Sequence, residues 1–451
     1  MKKNNKGITL VALVVTIVIL LILAGISIST LSNTGLFEKA KEAKEKSINA
    51  EKEERNILSK YEDEMYNNTS STNIEKVNDQ KPGELEKSDD NQNEYIINSI
   101  EDLVFFSYDV RNGNTYEGKT IKLGQNLDFT SSKSYVNAHR TDYEKYGYSG
   151  DFKETLETNG FEPIGIYEDD TWDFTNRFYG TFDGNGNVIY NLKINKKITG
   201  DKKFIVGFFG YNNGIIKNIG LINANVTVSE NSSSYGATGG IAGINKKNIE
   251  NCFVSGNIEI LESNGDYNLG GIVGSNSGEC KKCFNEANIS GIVTNSDLSV
   301  IMEARIGGIS GDIENYGVVQ ESYNKGNIYN KENKGDKNVK YYLGGVVGLN
   351  MKSVLNSYNI GKVINNSVYG KILIDEITYG YQDFSVYNCY YRKDSIINNT
   401  TNNNMDKQSN GIEKTEDEMK SESFIQLLNK DNQNTWKKDT ENINNGYPIF
   451  E

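Results

Sequence analysis

Few residues in this chain are of a type that does chemistry. Cys280 and Cys283 form a Cys-x-x-Cys, Cys252 lies upstream of them, and Cys389 completes the four cysteines. A zinc site would need a second cysteine pair, and a thioredoxin-like redox site would need a βαβ setting; the sequence has neither. Two readings stay open for Cys252 and Cys283, which hold like places in successive repeats. They are small buried core residues, or they pair as a disulfide outside the cell, for which a strand spacing of ~4.8 Å is a marginal match. Asp183-Gly-Asn-Gly-Asn187 has the opening spacing of a calcium loop. Val188 stands where that loop requires glycine and Ile194 where it requires the closing glutamate, so a tight turn is expected. Glu168, Asp169, Asp170 and Asp173 surround Trp172 and read as an exposed loop, with cation or sugar binding the sharper option. His139, the single histidine, has no recognisable nucleophile partner. The repeats show no recognisable acid–base set. No catalytic residue, metal or cofactor is expected.

The elements around these residues come from a repeat. Gly239-Gly240-Ile241-Ala242-Gly243 returns as Gly270-Gly271-Ile272-Val273-Gly274, Gly307-Gly308-Ile309-Ser310-Gly311 and Gly344-Gly345-Val346-Val347-Gly348, with a worn copy at Val206-Gly207-Phe208-Phe209-Gly210. The second glycines recur at intervals of 33, 31, 37 and 37. Twelve residues after the second glycine comes a small or apolar residue with a polar one before it: Asn218-Ile219, Asn251-Cys252, Lys282-Cys283 and Asn356-Ser357. Glu321-Ser322 arrives two residues late. Asn-Ile pairs follow at Asn257-Ile258, Asn288-Ile289 and Asn327-Ile328, with Lys362-Val363 in the last copy. Such a period marks a stacked repeat. No segment keeps a 3.6-residue period for three turns, and short β-branched runs between Gly, Asn and Ser read as strands. One unit cannot bury much apolar surface; stacked units can. Matching glycines imply a bend repeated rung after rung, and turn asparagines can bond their counterparts in neighbouring rungs. The fold expected is mainly β, a parallel β-solenoid of the right-handed kind.

Gly-Gly-Ile-Val-Gly-x-Asn, with its following Asn-Cys or Asn-Ser and Asn-Ile pairs, resembles the GLUG motif over residues 160–391. That family occurs in large bacterial surface proteins, including adhesin-like proteins and non-catalytic regions of some IgA-cleaving proteases. Phe161-Glu-Pro-Ile-Gly165 and Phe178 to Leu192 are similar to the lead-in of such repeats. The resemblance implies a scaffold on the cell exterior and carries no catalytic residue.

The chain opens on a basic leader, Met1 to Gly7, followed by an apolar run from Ile8 to Ile28. Twenty-one residues at ~1.5 Å each make ~31 Å of helix, enough to cross a bilayer. The leading lysines keep the N-terminus in the cytoplasm. Lys6-Gly7-Ile8-Thr9-Leu10-Val11-Ala12 resembles a type IV prepilin. The resemblance implies cleavage between Gly7 and Ile8 by a prepilin peptidase and methylation of the new amine. Ala12 stands where that family has a glutamate, which disfavours assembly as a main pilin. Residues 29–66 read as a charged stalk helix and 67–94 as a flexible linker. Residues 95–160 read as an N-terminal cap and insertion, with a helix capped near Ser99. Residues 161–391 are the solenoid. Residues 392–451 are an Asn-rich loop and a C-terminal end cap, with a capped helix from Thr415 to Leu428 that turns Phe424, Leu427 and Leu428 to the stack.

Net charge is −13, with 44 glycines and three prolines in 451 residues. The charge argues against nucleic acid as a partner. The expected protein is single-pass in a bacterial cytoplasmic membrane with its C-terminal domain outside. Its function is that of a membrane-anchored or pilus-associated scaffold, binding a glycan or a host protein. The alternatives are a minor pilin or pseudopilin working among pilus subunits and, from a third class, a β-helix polysaccharide-active enzyme.

Overall fold

The computed structural model describes residues between 85 and 451, leaving out 90, 132–145, 147, 149–151, 166–167, 170–175, 201, 232–234, 295–299, 332–337, 368–370, 381–383, 401–404 and 431–433. The leader with Gly7 and Ile8, the 8–28 span, the 29–66 stalk, most of the linker, His139, Asp170, Trp172 and Asp173 lie outside the described residues. Among the described residues, no helix is long and apolar enough to cross a membrane.

Alternating apolar and polar residues set the strands. In Ile215–Glu230 the side chains of Ile216, Ile219, Val226 and Val228 are buried while Asn223 and Asn225 are exposed. This strand pairs in parallel with Asn248–Glu262, with Ile219 opposite Cys252 and Val226 opposite Ile258. In the next turn three short strands, Glu279–Lys281, Phe284–Asn285 and Asn288–Gly291, replace the long one in the same register. Two further parallel sheets complete each turn. One has six strands, beginning at Phe209–Asn212 and Ala242–Asn245 and ending at Thr378–Gly380. The other runs through Lys203–Val206, Gly236–Gly239, Tyr267–Gly270, Met302–Gly307, Val339–Gly344 and Lys371–Asp375. Like residues stack on like, so one apolar column continues through the turns: Ile258, Ile289 and Ile328 are each 0% exposed. A parallel β-solenoid results.

The solenoid reaches beyond 161–391 at both ends. Upstream, Glu94–Ile97 and Thr120–Leu123 add in parallel to Thr181–Asp183. Ser99 caps a helix, accepting from the Asp102 N–H at 3.1 Å, and the helix continues past Phe106 to Arg111. Phe106 lies 5.8 Å from Phe178 and 6.0 Å from Phe182, ring centre to ring centre, so the helix closes the first turn. Downstream, the Asn-rich stretch expected as a loop supplies strands: Ile396–Asn398, Met405–Lys407 and Ile412–Lys414 each pair in parallel with the turn before. Asparagine is tolerated there because its amide bonds along the stack, with Asn365 Nδ2 donating to Asn398 Oδ1 at 3.0 Å.

The C-terminal segment departs from expectation in three ways. Thr415 and Glu418 form the capping box, but the helix stops at Met419 and restarts at Glu422 under a second cap, Ser421. Phe424 and Leu428 are buried, whereas Leu427 is 37% exposed. The segment covers a flank of the stack rather than closing its end. Phe253, Phe284, Tyr323 and Tyr358 sit one per turn and stack at 4.8, 4.9 and 5.0 Å, within 4° of parallel. Phe450 packs on Phe284 and Tyr323, Trp436 on Tyr323 and Tyr358, and Phe424 on Tyr358 and Tyr390. Trp436 and Phe450 are held together by an antiparallel pairing of Trp436–Lys437 with Ile449–Phe450.

Candidate functional site

The glycine runs form the first corner. Gly239, Gly270, Gly307 and Gly344 are in register. The glycines three residues after each pair's second member, such as Gly243 and Gly274, let one sheet press on the other. A Cβ on Gly274 would stand 2.5 Å from Thr238 N and 2.7 Å from Gly243 O. One on Gly243 would stand 2.6 Å from Ile205 Cγ2 and 2.7 Å from Val206 N. On Gly240 it would meet Gly271 O at 2.6 Å. Gly271, Gly308, Gly311, Gly345 and Gly348 are crowded by backbone in the same way. In the worn copy Val206 pairs with Thr238 and Phe209 with Ala242, so the corner holding Gly207 is one residue shorter.

The second corner is the polar residue noted before each small one. Asn218, Asn251, Lys282, Glu321, Asn356 and Asn388 all have φ between 47° and 54°, a left-handed conformation that asparagine accepts more readily than most residues. Asn251 Nδ2 donates to Asn218 Oδ1 at 2.9 Å, and Asn388 Nδ2 to Asn356 Oδ1 at 2.7 Å. The residue that follows makes one bond in turn after turn. Cys252 Sγ donates to Glu250 O at 3.2 Å, Cys283 Sγ to Lys281 O at 3.2 Å, Ser322 Oγ to Gln320 O at 2.8 Å and Ser357 Oγ to Leu355 O at 2.7 Å. Cys389 Sγ repeats it to Tyr387 O at 3.3 Å. Cysteine and serine are interchangeable here because each supplies one short donor to the bend. All four cysteines are free thiols and buried, so the disulfide held open for Cys252 and Cys283 is not formed in this structure. Burial pushes the Cys252 thiol well up and Cys389 up to about 12, which leaves both protonated and unreactive at neutral pH. The two extra residues before Glu321 are taken up in a turn at 314–317, where Asn315 is left-handed and Tyr316 is 90% exposed.

Asp183 behaves as a turn residue. It accepts from Asn185 N at 2.8 Å and Asn218 Nδ2 at 3.0 Å and pairs with Lys217 at 3.2 Å. Among the described residues no group of three or more His, Cys, Asp or Glu could hold a metal ion.

Sequence reasoning missed a buried polar break between the two shorter sheets. Ile205, Tyr211, Ala237 and Ile244 pack together in the early turns, and Tyr342, Leu349, Leu373 and Tyr379 in the late ones. Asn268, Arg305 and Asp312 stand between. Asn268 Nδ2 donates to Tyr235 Oη and to Asp312 Oδ2, both at 2.7 Å, while Arg305 donates to Asn268 Oδ1 at 3.1 Å and pairs with Glu303 at 2.5 Å. Burial, with the nearby Glu314 charge, lifts the Asp312 carboxyl to about 8 against the pull of Arg305. The sequence signal was a charge at positions that elsewhere carry Ala237 or Tyr342, for Arg305, and Ile244 or Leu349, for Asp312.

The Asn-Ile pairs resolve into an outward column. Register places Lys193, Asn225, Asn257, Asn288, Asn327 and Lys362 in line, one per turn. The four asparagines are exposed. At its N-terminal end the column enters a groove of about 330 Å³, walled by Phe129, Leu156, Asn191, Asn223, Asn225 and Asn257.

The family described as prokaryotic N-terminal methylation motif matches residues 2–28. The chain thus carries a prepilin-type N-terminus, the substrate signal for a prepilin peptidase, and that motif implies a membrane-associated or surface location. No curated protein matches the chain. A crystal structure at 1.30 Å of a candidate immunoglobulin A1 protease from Bacteroides ovatus is similar in fold, with a TM-score of 0.52 and 20% identity over 81% of this chain and 94% of that one. At that identity the likeness concerns the fold alone.

Proposed function

We propose that this chain is a surface-displayed binding scaffold whose solenoid is carried outside the membrane by a segment that prepilin peptidase processes at Gly7-Ile8. The observation that carries the reading is the N-terminal methylation motif at residues 2–28 on the same chain as a parallel β-solenoid. The resemblance of the repeats to the GLUG motif of adhesin-like surface proteins supports it. So does the architecture, since a stack of like turns offers long repetitive faces. We read the solenoid as non-catalytic: the thiols of Cys252, Cys283 and Cys389 donate to carbonyls at the corners, Cys280 is buried within its strand, and the most perturbed acid, Asp312, is buried among Asn268, Arg305 and Tyr235. The protease name of the fold neighbour makes proteolysis the catalytic alternative worth assaying.

A second reading is favoured by the motif itself: a minor pilin or pseudopilin that serves filament or secretion assembly. Mass spectrometry of the mature N-terminus tests the shared step, with a methylated Ile8 expected and an intact Met1 leader opposing it. Surface labelling of whole cells then separates the readings. A scaffold is labelled on the cell body and retains ligand on a glycan or host-protein array. A pilin is recovered in sheared filaments. Turnover of immunoglobulin or polysaccharide would overturn the non-catalytic reading.

A further inference from the structure

We propose that the groove beside Phe129 and the asparagine column leading from it form a strip that binds a neutral polysaccharide laid along the stack. This deepens the binding-scaffold reading and rests on it. Most asparagine columns of this protein bond to themselves. Asn212 donates to Asn245 and Asn245 to Asn276 at 2.8 and 2.9 Å, and Asn285 donates to Asn324 and Asn324 to Asn359 at 2.8 and 2.9 Å. The side chains of Asn225, Asn257 and Asn288 make no such bond among the described residues. Each free amide offers donors and an acceptor at once, which is what a sugar hydroxyl, itself donor and acceptor, requires. In-register pairing repeats that offer every ~4.8 Å, a regular row for a regular polymer. The groove gives the row an open end: Phe129 and Leu156 are buried beneath it, and Asn223 Nδ2 donates to Asn191 Oδ1 at 2.6 Å while Asn191 Nδ2 donates to Asp128 Oδ1 at 2.9 Å, which holds that floor in place beside Asn225 and Asn257.

Charge selects against acidic chains. Net charge is −13, and the lysines at the two ends of the column are engaged. Lys193 donates to Glu157 O and Thr158 O, both at 3.2 Å, and Lys362 to Asp394 O at 2.9 Å. A protein partner fits less well, because the column has no exposed aromatic or aliphatic anchor of the kind that dominates protein interfaces.

The test is calorimetric titration of the full-length protein with cellohexaose, mannohexaose and chitohexaose, and with hexagalacturonate as the acidic comparison. The expected result is binding of at least one neutral hexaose, weakened about tenfold or more in Asn225→Ala/Asn257→Ala with an unchanged urea midpoint. Equal affinity in that variant would overturn the strip while leaving the binding scaffold standing. So would binding of hexagalacturonate alone. Absence of any hexaose binding, with retention on a host-protein array, would sink the strip and keep the scaffold; no retention on either would sink both.

Discussion

Gly274→Ala tests the corner on which the stacking depends. The added Cβ would stand 2.5 Å from Thr238 N, 2.7 Å from Gly243 O and 2.9 Å from Ala237 C, all of them backbone. No side chain can swing away to make room. Two strands of the neighbouring turn, Gly236–Gly239 and Ala242–Asn245, would have to retreat together. Overpacking of a close-packed interior costs ~1–3 kcal/mol, and the upper end applies where the obstruction is backbone on two strands. Alanine also stiffens the unfolded chain, which returns ~0.4–1 kcal/mol. The net expectation is a loss of about 2 kcal/mol. Gly200 is the control: at φ +81° it has no atom within 4 Å of a built Cβ, so Gly200→Ala carries only the ~1–2 kcal/mol left-handed penalty, less the same unfolded-state gain. Urea unfolding followed by tryptophan fluorescence and by circular dichroism measures both. Gly274→Ala should cost at least twice as much as Gly200→Ala. Equal costs, or a smaller cost at Gly274, would refute the claim that this glycine exists for close approach.

Asn245→Ala removes the middle of a buried amide ladder and takes one partner each from Asn212 Nδ2, Asn276 Oδ1 and the Lys247 carbonyl, leaving Asn212 its bonds to Gly214 and Asn276 its bonds to Gly278 and Val318. Since these are bonds of a buried side chain, losing them should cost more than the exposed Asn257→Ala, read by the same unfolding assay. Asp312 should make the protein less stable as pH rises. Its folded value of about 8 lies above the ordinary 3.8, so between those values the native state holds a proton that the unfolded state has lost. Stability from this group is full below about pH 4 and is lost up to about pH 8. Asp312→Asn should flatten that fall in thermal unfolding across the range, and an unchanged slope would contradict the assignment. Trp436→Ala strips the cover from Tyr323 and Tyr358. Its cost of ~3–5 kcal/mol should fall on the flank segment, giving faster proteolysis and amide exchange in 415–451 while the turns from 203 to 365 keep their protection.

Much of the fold was legible because one physical demand recurs at fixed places. The glycine runs, the left-handed corner residues and the Asn-Ile pairs each map to a single column of the stack. Even the late Glu321-Ser322 falls in its column, since the two surplus residues are taken up by the 314–317 turn. The ends were less legible. Ile396–Asn398 and Met405–Lys407 are three-residue strands in an Asn-rich stretch with no glycine run; they join the stack because the preceding turn offers a complete strand edge. The flank role of Trp436 and Phe450 was hidden because Phe253, Phe284, Tyr323 and Tyr358 look in sequence like residues of half-exposed faces; only the register shows that they line up and need a cover. The polar break at Asn268, Arg305 and Asp312 was hidden for the opposite reason, since isolated polar residues in a strand normally face water.

The most direct test of the stack is a distance. Lys193 and Lys362 are remote in sequence but separated by only five strand intervals in one column. At ~4.8 Å per interval the backbone separation is about 24 Å. Spin labels on Lys193→Cys/Lys362→Cys, with the buried native thiols left unlabelled, give that distance by double electron–electron resonance. A single narrow distribution centred on that separation, widened by the label arms, is the predicted result. A broad distribution, or a centre at twice that separation or more, would mean that the turns do not lie one on another in this register.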